Sequence, residues 1–271
     1  MFSSDQILKI EKEISSKVDG KTLFDEFSRG RYSTDASVYQ IKPIGVVLPK
    51  DTNDVLNIME YSQNNSIPLL ARGGGSSQCG QTVGESLVLD YSRHQNKILD
   101  LNVDEKSVWV EPGVVLDHLN AYLKPYGLWF PVDVSTSSRA TIGGMSANNS
   151  CGSRSLYYGN MVHNVLAIET ILDDGSIHTF DEIQKNYLTQ KNNQDRLYKI
   201  IDKFIDLRQR VGGEIDENWP TTQRRVGGYN IDLIDPNGFN SSNILVGSEG
   251  TLSLFNKIKL KLSELPKNKI L

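Results

Sequence analysis

The way apolar runs are joined changes near residue 95, and this constrains the fold more than any other feature of the chain. Before that point residues 44–48, 67–71 and 87–90 read as short strands. The first two flank a helical stretch with Asp51 as its cap, in which Val55, Ile58, Met59 and Ser62 form one stripe. A strand, a crossover helix and a second strand imply a small parallel βαβ unit. After residue 95 the runs are joined by short turns. Residues 97–101 and 107–111 flank a polar loop, and residues 165–172 meet 177–180 through Asp173-Asp174-Gly175. Both are antiparallel hairpin signals. Residues 114–123 read as a helix that stops before Pro125, 195–211 as a long helix, and 251–262 as a final strand alternating Leu252, Leu254, Ile258, Leu260 and Leu262. At the start, Ser3 and Gln6 have the spacing of a capping box ahead of Ile7, Ile10 and Ile14. Residues 29–39 carry no clear element, and the polar, glycine-rich stretch 211–236 reads as loop. The expected class is α+β, with a helical segment (1–40), a βαβ lobe (41–95) and an antiparallel lobe with flanking helices (96–265).

Composition removes several function classes. Of 271 residues, 38% are hydrophobic and 23% charged, enough apolar material for a core and against a wholly disordered chain. A net charge of −4 argues against a general nucleic-acid binder. The longest apolar runs, 44–48 and 67–71, fall far short of the ~20 residues that cross a bilayer. The first 13 residues are polar-amphipathic, unlike a secretion signal. The expected setting is cytoplasmic. Cys79 and Cys151 offer neither a disulfide framework nor a CxxC site, and His94, His118, His163 and His178 lack metal-ligand spacing, so no metal is expected. No nucleophile elbow is present. Asp173 and Asp174 read as turn formers, and Trp109, Trp129 and Trp219 as packing residues.

The glycines and their small neighbours fall into three clusters. Arg72-Gly73-Gly74-Gly75-Ser76-Ser77 directly follows a strand. Its backbone N–H groups can form a nest for phosphate, its serines add hydroxyls and Arg72 adds charge. It is not a P-loop, since no Gly-Lys-Ser/Thr follows, nor a Rossmann fingerprint. The second cluster is Thr141-Ile142-Gly143-Gly144-Met145-Ser146-Ala147-Asn148-Asn149-Ser150-Cys151-Gly152, and the third is Val246-Gly247-Ser248-Glu249-Gly250-Thr251. Each alone also reads as an ordinary turn. Together they suit one long, phosphate-bearing ligand touched at several places.

With Tyr32-Ser33-Thr34-Asp35-Ala36-Ser37, residues 46–49, Val110-Glu111-Pro112-Gly113 and Asp173-Asp174-Gly175, these clusters resemble, in order and spacing, the FAD-linked oxidases and dehydrogenases with the p-cresol methylhydroxylase/vanillyl-alcohol oxidase type of flavin domain. The resemblance runs from about residue 31 to 262. It is nearest to the glycolate oxidase, D-lactate and D-2-hydroxyglutarate dehydrogenase group. Arg224-Arg225-Val226-Gly227-Gly228-Tyr229-Asn230 looks like the large members of that group, which carry an iron–sulfur region further along.

The resemblance implies a two-lobed FAD-binding domain of an oxidoreductase that moves hydride from a D-2-hydroxyacid to FAD. Residues 73–77 would wrap the pyrophosphate, and Arg72, Gly80, Gln81, Ser150 and Tyr158 are further cofactor-binding candidates. Gly113, Pro131, Ser135, Thr141, Gly143, Gly144, Ala147, Asn148, Gly152 and Gly159 would line the rest, with Glu249 and Gly250 closing the site. Val165 would lie by the adenine. Arg225, Tyr229 and Asn230 would face the substrate side, and no residue is assigned as general base. The first glycine loop lacks the flavin-linking His of covalent members, so FAD is expected to be non-covalent. A cap domain with the substrate-binding basic residues is expected beyond this chain, as is any iron–sulfur cluster, and the chain alone is expected to be inactive. A quinone, cytochrome or electron-transfer protein would accept the electrons, and the intact enzyme would be cytoplasmic or peripheral to a membrane. Two other readings stay open: a UDP-N-acetylenolpyruvoylglucosamine reductase-like flavoenzyme, and a non-catalytic FAD-binding module.

Overall fold

A computed structural model describes residues 2–184 and 195–266. The chain begins with α1 (Ser4–Ser15), whose capping box is formed by Ser3 and Gln6 and whose Ile10 and Ile14 are buried. Then come β1 (Lys21–Leu23), α2 (Glu26–Arg31), β2 (Gly45–Leu48), α3 (Thr52–Asn65), β3 (Leu69–Arg72) and β4 (Leu87–Asp90). The Asp51 side chain accepts from the amides of Asn53 and Asp54 and so starts α3. The four strands form one sheet in the order β1-β2-β4-β3. β2 and β3 both run parallel to β4, which lies between them, so the two strands of the βαβ unit are not neighbours.

Two features of this lobe escape the sequence. Within 29–39, where no element is expected, α2 ends at Arg31 and Thr34 bridges Gln40. The segment 1–40 also does not stand apart. β1 adds an antiparallel edge to β2, and Ile10, Ile14 and Phe24 join the core of Val47, Val55, Ile58, Leu87 and Leu89. Short strands such as Lys21–Leu23 carry too few residues for a period to register.

The second lobe contains β5 (Ile98–Asn102), β6 (Ser107–Val110), α4 (Leu116–Leu123), β7 (Leu128–Trp129), α5 (Ile142–Ala147), α6 (Ser155–Tyr158), β8 (Val165–Ile171), β9 (Ile177–Phe180), β10 (Glu182–Gln184), α7 (Arg196–Asn218), β11 (Gly238–Asn240), α8 (Ser242–Leu245), β12 (Leu254–Lys261) and β13 (Ser263–Glu264). Its main sheet is antiparallel, ordered β5-β6-β12-β8-β9. The two hairpins occupy the sides, and β12, the last long strand in sequence, completes the centre between β6 and β8. Ile258 and Leu260 are fully buried there, in one core with Val108, Val110, Ile168 and Phe180. β12 begins at Leu254, three residues later than expected, because Thr251 is held in a turn by its hydroxyl bond to the Ser248 carbonyl at 2.6 Å.

The largest difference from expectation lies at residue 211. α7 does not stop there but continues through Gly212 and Gly213 to Asn218. Each helical glycine costs about 1 kcal/mol relative to alanine. Burial of Ile215, on the face that also buries Ile201 and Ile205, offsets that cost. No helix among the described residues is long and apolar enough to cross a membrane.

Candidate functional site

The connectivity of the two sheets brings the three small-residue clusters together. The first leaves the C-terminal end of β3, the second contains α5, and the third is the approach to β12. The third docks on the second through the amides of Gly247 and Glu249, which donate to the carbonyls of Ser146 and Ala147, each at 3.0 Å. The first seats on the turn ahead of α5. A Cβ on Gly73 would lie 2.0 Å from Thr141 Oγ1, and one on Gly74 would lie 2.2 Å from the Arg139 carbonyl oxygen. Gly75 has φ of 62°, in the left-handed region that glycine tolerates. The absence of side chains in this loop thus serves contact between the lobes.

Between the lobes lies a cleft of about 440 Å³, within the ~300–1,000 Å³ usual for small-molecule sites. It is lined by Arg72 to Ser77 and Gln81 from the first lobe, and by Ser135, Thr141, Gly143, Gly144, Ala147, Asn148, Ser150, Glu249 and Gly250 from the second. One hydrogen-bonded chain links the three clusters. The Ser77 hydroxyl donates to the Gln81 side chain, and Gln81 Nε2 donates to Glu249 Oε1 at 3.4 Å. Asn148 Nδ2 donates to the same oxygen at 2.8 Å, and Asn148 Oδ1 accepts from the Ser150 hydroxyl at 3.1 Å. Burial pushes the Glu249 carboxyl above its ordinary range, opposed by the bonds from Asn148 and Gln81.

Arg72 lines the cleft, but its fork is bound to the main chain. It donates to the carbonyls of Tyr32, Thr34 and Thr82 at 3.2, 2.7 and 2.9 Å, and it stacks over the Tyr32 ring. It pins the 32–34 turn and the first loop together while keeping its positive charge at the cleft wall. Burial lowers the guanidinium's proton affinity, and Asp90 opposes this. Burial, and then Asp90, whose carboxylate accepts from the Tyr32 hydroxyl at 2.6 Å, push the Tyr32 hydroxyl up.

Other candidate residues lie outside the lining. Gly80 sits under the Tyr39 ring, Gly113 against the Tyr91 carbonyl and Gly152 against Asp133, each at a close pass of the chain. Pro131 and Val165 are buried. Tyr158 packs edge-on against Trp129, and Gly159 turns beside His163 with φ of 77°. The His163 ring accepts from the Asn160 amide, and burial, then Arg225, holds its proton affinity down. Arg225, placed on the substrate side from the sequence, does not line the cleft. It is ion-paired with Asp232, donates to the Pro220 carbonyl and lies over Trp219. Its neighbour Val226 reaches the lining instead, and Arg224 donates to Cys151 Sγ at 3.1 Å, itself a lining residue. Asn230 Nδ2 secures the third loop by donating to the carbonyls of Asn243 and Val246, and the Tyr229 hydroxyl bonds Thr251 at 2.7 Å.

Of the lining residues outside the sequence-based candidates, three carry a polar atom left without a partner. The Tyr91 hydroxyl, Asn149 Nδ2 and Ser253 Oγ are buried without a hydrogen-bond partner among the described residues. Buried polar groups in native proteins are almost always satisfied, so these suit a polar ligand. Asn149 carries a sequence hint, since asparagine tolerates the left-handed backbone it adopts here, with φ of 50°. Tyr91 and Ser253 flank strands and carry none. Lined by small residues, unsatisfied polar groups and one cation, the cleft fits an extended dinucleotide. Among the described residues no cluster of His, Cys, Asp or Glu could hold a metal ion.

D-2-hydroxyglutarate dehydrogenase of Pantoea ananatis is 34% identical over 259 residues, covering 92% of this chain and 25% of that protein. The enzyme of the same name from Haemophilus influenzae is 36% identical over 252 residues, covering 88% and 24%. Glycolate oxidase subunit GlcD of Bacillus subtilis is 30% identical over 269 residues, covering 97% and 47%. The chain therefore spans about a quarter of the length of these D-2-hydroxyglutarate dehydrogenases. Among solved structures, alkyldihydroxyacetonephosphate synthase superposes with a TM-score of 0.66 at 18% identity, over 98% of this chain and 42% of that one, a likeness of fold. The FAD binding domain model matches residues 43–181, which span β2, the glycine loop, α5 and β9, and the chain belongs to that family of FAD-binding domains.

Proposed function

We propose that this chain is the flavin-holding part of an oxidoreductase acting on D-2-hydroxyacids, of which D-2-hydroxyglutarate, D-lactate and glycolate are the candidates. The reading is carried by the junction of the three loops at Glu249, beside a cleft lined by the first glycine loop and by polar atoms without a partner among the described residues. Residues 73–77 would surround the pyrophosphate with main-chain N–H groups and hydroxyls, near the fixed charge of Arg72. Tyr91, Asn149 and Ser253 would bond the polar atoms of the rest of the cofactor. FAD would supply a hydride acceptor there, for oxidation of a 2-hydroxyacid to a 2-oxoacid with a base to take the hydroxyl proton. Among the described residues lining the cleft no base is assigned for that proton, and Arg72, the one arginine among them, has its donors on carbonyls. In proteins as long as the dehydrogenase relatives, the carboxylate clamp and the base would come from the remaining length. The identity to the hydroxyacid enzymes favours this reading over a UDP-N-acetylenolpyruvoylglucosamine reductase.

Flavin titration tests the proposal. The chain should bind FAD more tightly than FMN, which lacks a pyrophosphate, and denaturation in acid should release the flavin. Equal affinity for FMN would remove the pyrophosphate reading. Mixed anaerobically, the FAD-loaded chain should keep its flavin absorbance with D-lactate, D-2-hydroxyglutarate or NADPH. Bleaching by NADPH would favour the reductase, and bleaching by a hydroxyacid would place a complete active site within these residues.

A further inference from the structure

Glu249 occupies the point where all three loops meet, and its surroundings are unusual for a carboxylate. Its backbone is fixed in the left-handed region, with φ of 52°, and its N–H is bonded to Ala147. Both side-chain donors it receives, from Asn148 and Gln81, are neutral amides on the same oxygen. The titratable and charged groups of the surrounding segments are engaged elsewhere or uncharged. From the first lobe, Arg72 is held on three carbonyls and faces Asp90 and Asp35, while burial pushes the Tyr91 hydroxyl up, toward its neutral form. From the second lobe, Cys151 accepts from Arg224, Arg225 is paired with Asp232, and Tyr229 is bonded to Thr251. No cation among the described residues acts on Glu249, and burial alone already favours its protonated form.

We propose that binding of FAD to this cleft takes up a proton at Glu249, so that the cofactor is held more tightly as pH falls. This rests on the FAD reading of the cleft. A pyrophosphate brings two negative charges to a loop that is one hydrogen-bonded side chain, Gln81, away from Glu249. The ligand also displaces water from a carboxylate that has no countercharge. Both effects disfavour the ionised form. The protonated acid keeps Oε1 free to accept from Asn148 and Gln81 and turns the other oxygen into a donor for a ligand acceptor. A group whose pKa rises on binding must bind protons as the complex forms, and affinity then declines as pH rises through the pKa of the complex.

The test is calorimetric titration of the 271-residue chain with FAD in two buffers of unlike ionisation enthalpy, repeated from about pH 5 to about pH 8. FAD has no group of its own titrating in that window. The expected result is uptake of up to one proton per FAD, with affinity falling about tenfold for each unit by which binding raises the Glu249 pKa. Glu249→Gln keeps the shape and an oxygen for Asn148, and should flatten the profile and abolish the uptake. Zero uptake or proton release by the parent chain would overturn the proposal. So would a pH dependence retained in the variant, which would point to another group such as His163. If the variant binds no FAD, the proton count of the parent chain decides. Failure of the parent chain to bind FAD at any pH would instead overturn the proposed function, and is recognised by the absence of binding heat.

Discussion

At the scale of single residues, the loops act as much by what they lack as by what they present. Gly74 is the clearest case. Its backbone is not in the left-handed region, which belongs to Gly75, yet its missing Cβ lets the Arg139 carbonyl approach. Gly74→Val should therefore spread the lobes, costing about 1–3 kcal/mol of stability and more than tenfold in FAD affinity. Gly227→Val, with nothing within 4 Å of the new Cβ, is the matched control and should change little. Urea unfolding and flavin-fluorescence titration of the two variants check this, and normal FAD binding by Gly74→Val would reduce the loop to an ordinary turn. The arginines show what residue type alone conceals. Arg72 and Arg225 look like anion binders in the sequence, but their donors are directed to carbonyls and to Asp232. A guanidinium has five donors and no sequence pattern says where they point.

At the scale of elements, legibility followed length and period. α1, α3, the β8–β9 hairpin and the parallel strands carry a capping residue, an Asp-Gly turn or an apolar run that identifies them locally. The end of α7 carries the opposite local signal, two consecutive glycines, and is helical because Ile215 packs into the protein. That difference is testable. Gly213 is solvent-exposed, mid-helix, and has no neighbour within 4 Å of an added Cβ. Gly213→Ala should stabilise the chain by about 0.5–1 kcal/mol in urea unfolding. A neutral or destabilising result would show that residues 211–218 are not helical in solution. β12 illustrates a second limit. Its alternating leucines mark a strand, but nothing local places it at the centre of its sheet between β6 and β8.

At the scale of the whole molecule, the cleft exists only because two separately organised cores meet. One core is built on the four-stranded sheet and α1, the other on β12 and its neighbours, with Ile171 and Leu254 of the second sheet also packing into the first core. A ligand lying between them should stabilise both together. Saturating FAD is expected to raise a single calorimetric unfolding transition, by about 2.7 kcal/mol at a hundredfold excess over Kd. Two transitions, of which only one moves with FAD, would mean that one lobe alone holds the ligand. By itself the sequence determined the alternation of a parallel unit with antiparallel hairpins and the three small-residue clusters, which suit a long, phosphate-bearing ligand. These are properties of neighbouring residues, written in period, turn chemistry and side-chain size. Only the tertiary structure decided that Glu249 joins the clusters, that Arg225 is paired away from the cleft, and that Tyr91, Asn149 and Ser253 leave polar atoms unsatisfied in its wall. Those are contacts between residues up to 168 positions apart, and they are set by which strand completes a sheet and which faces two cores bury against each other.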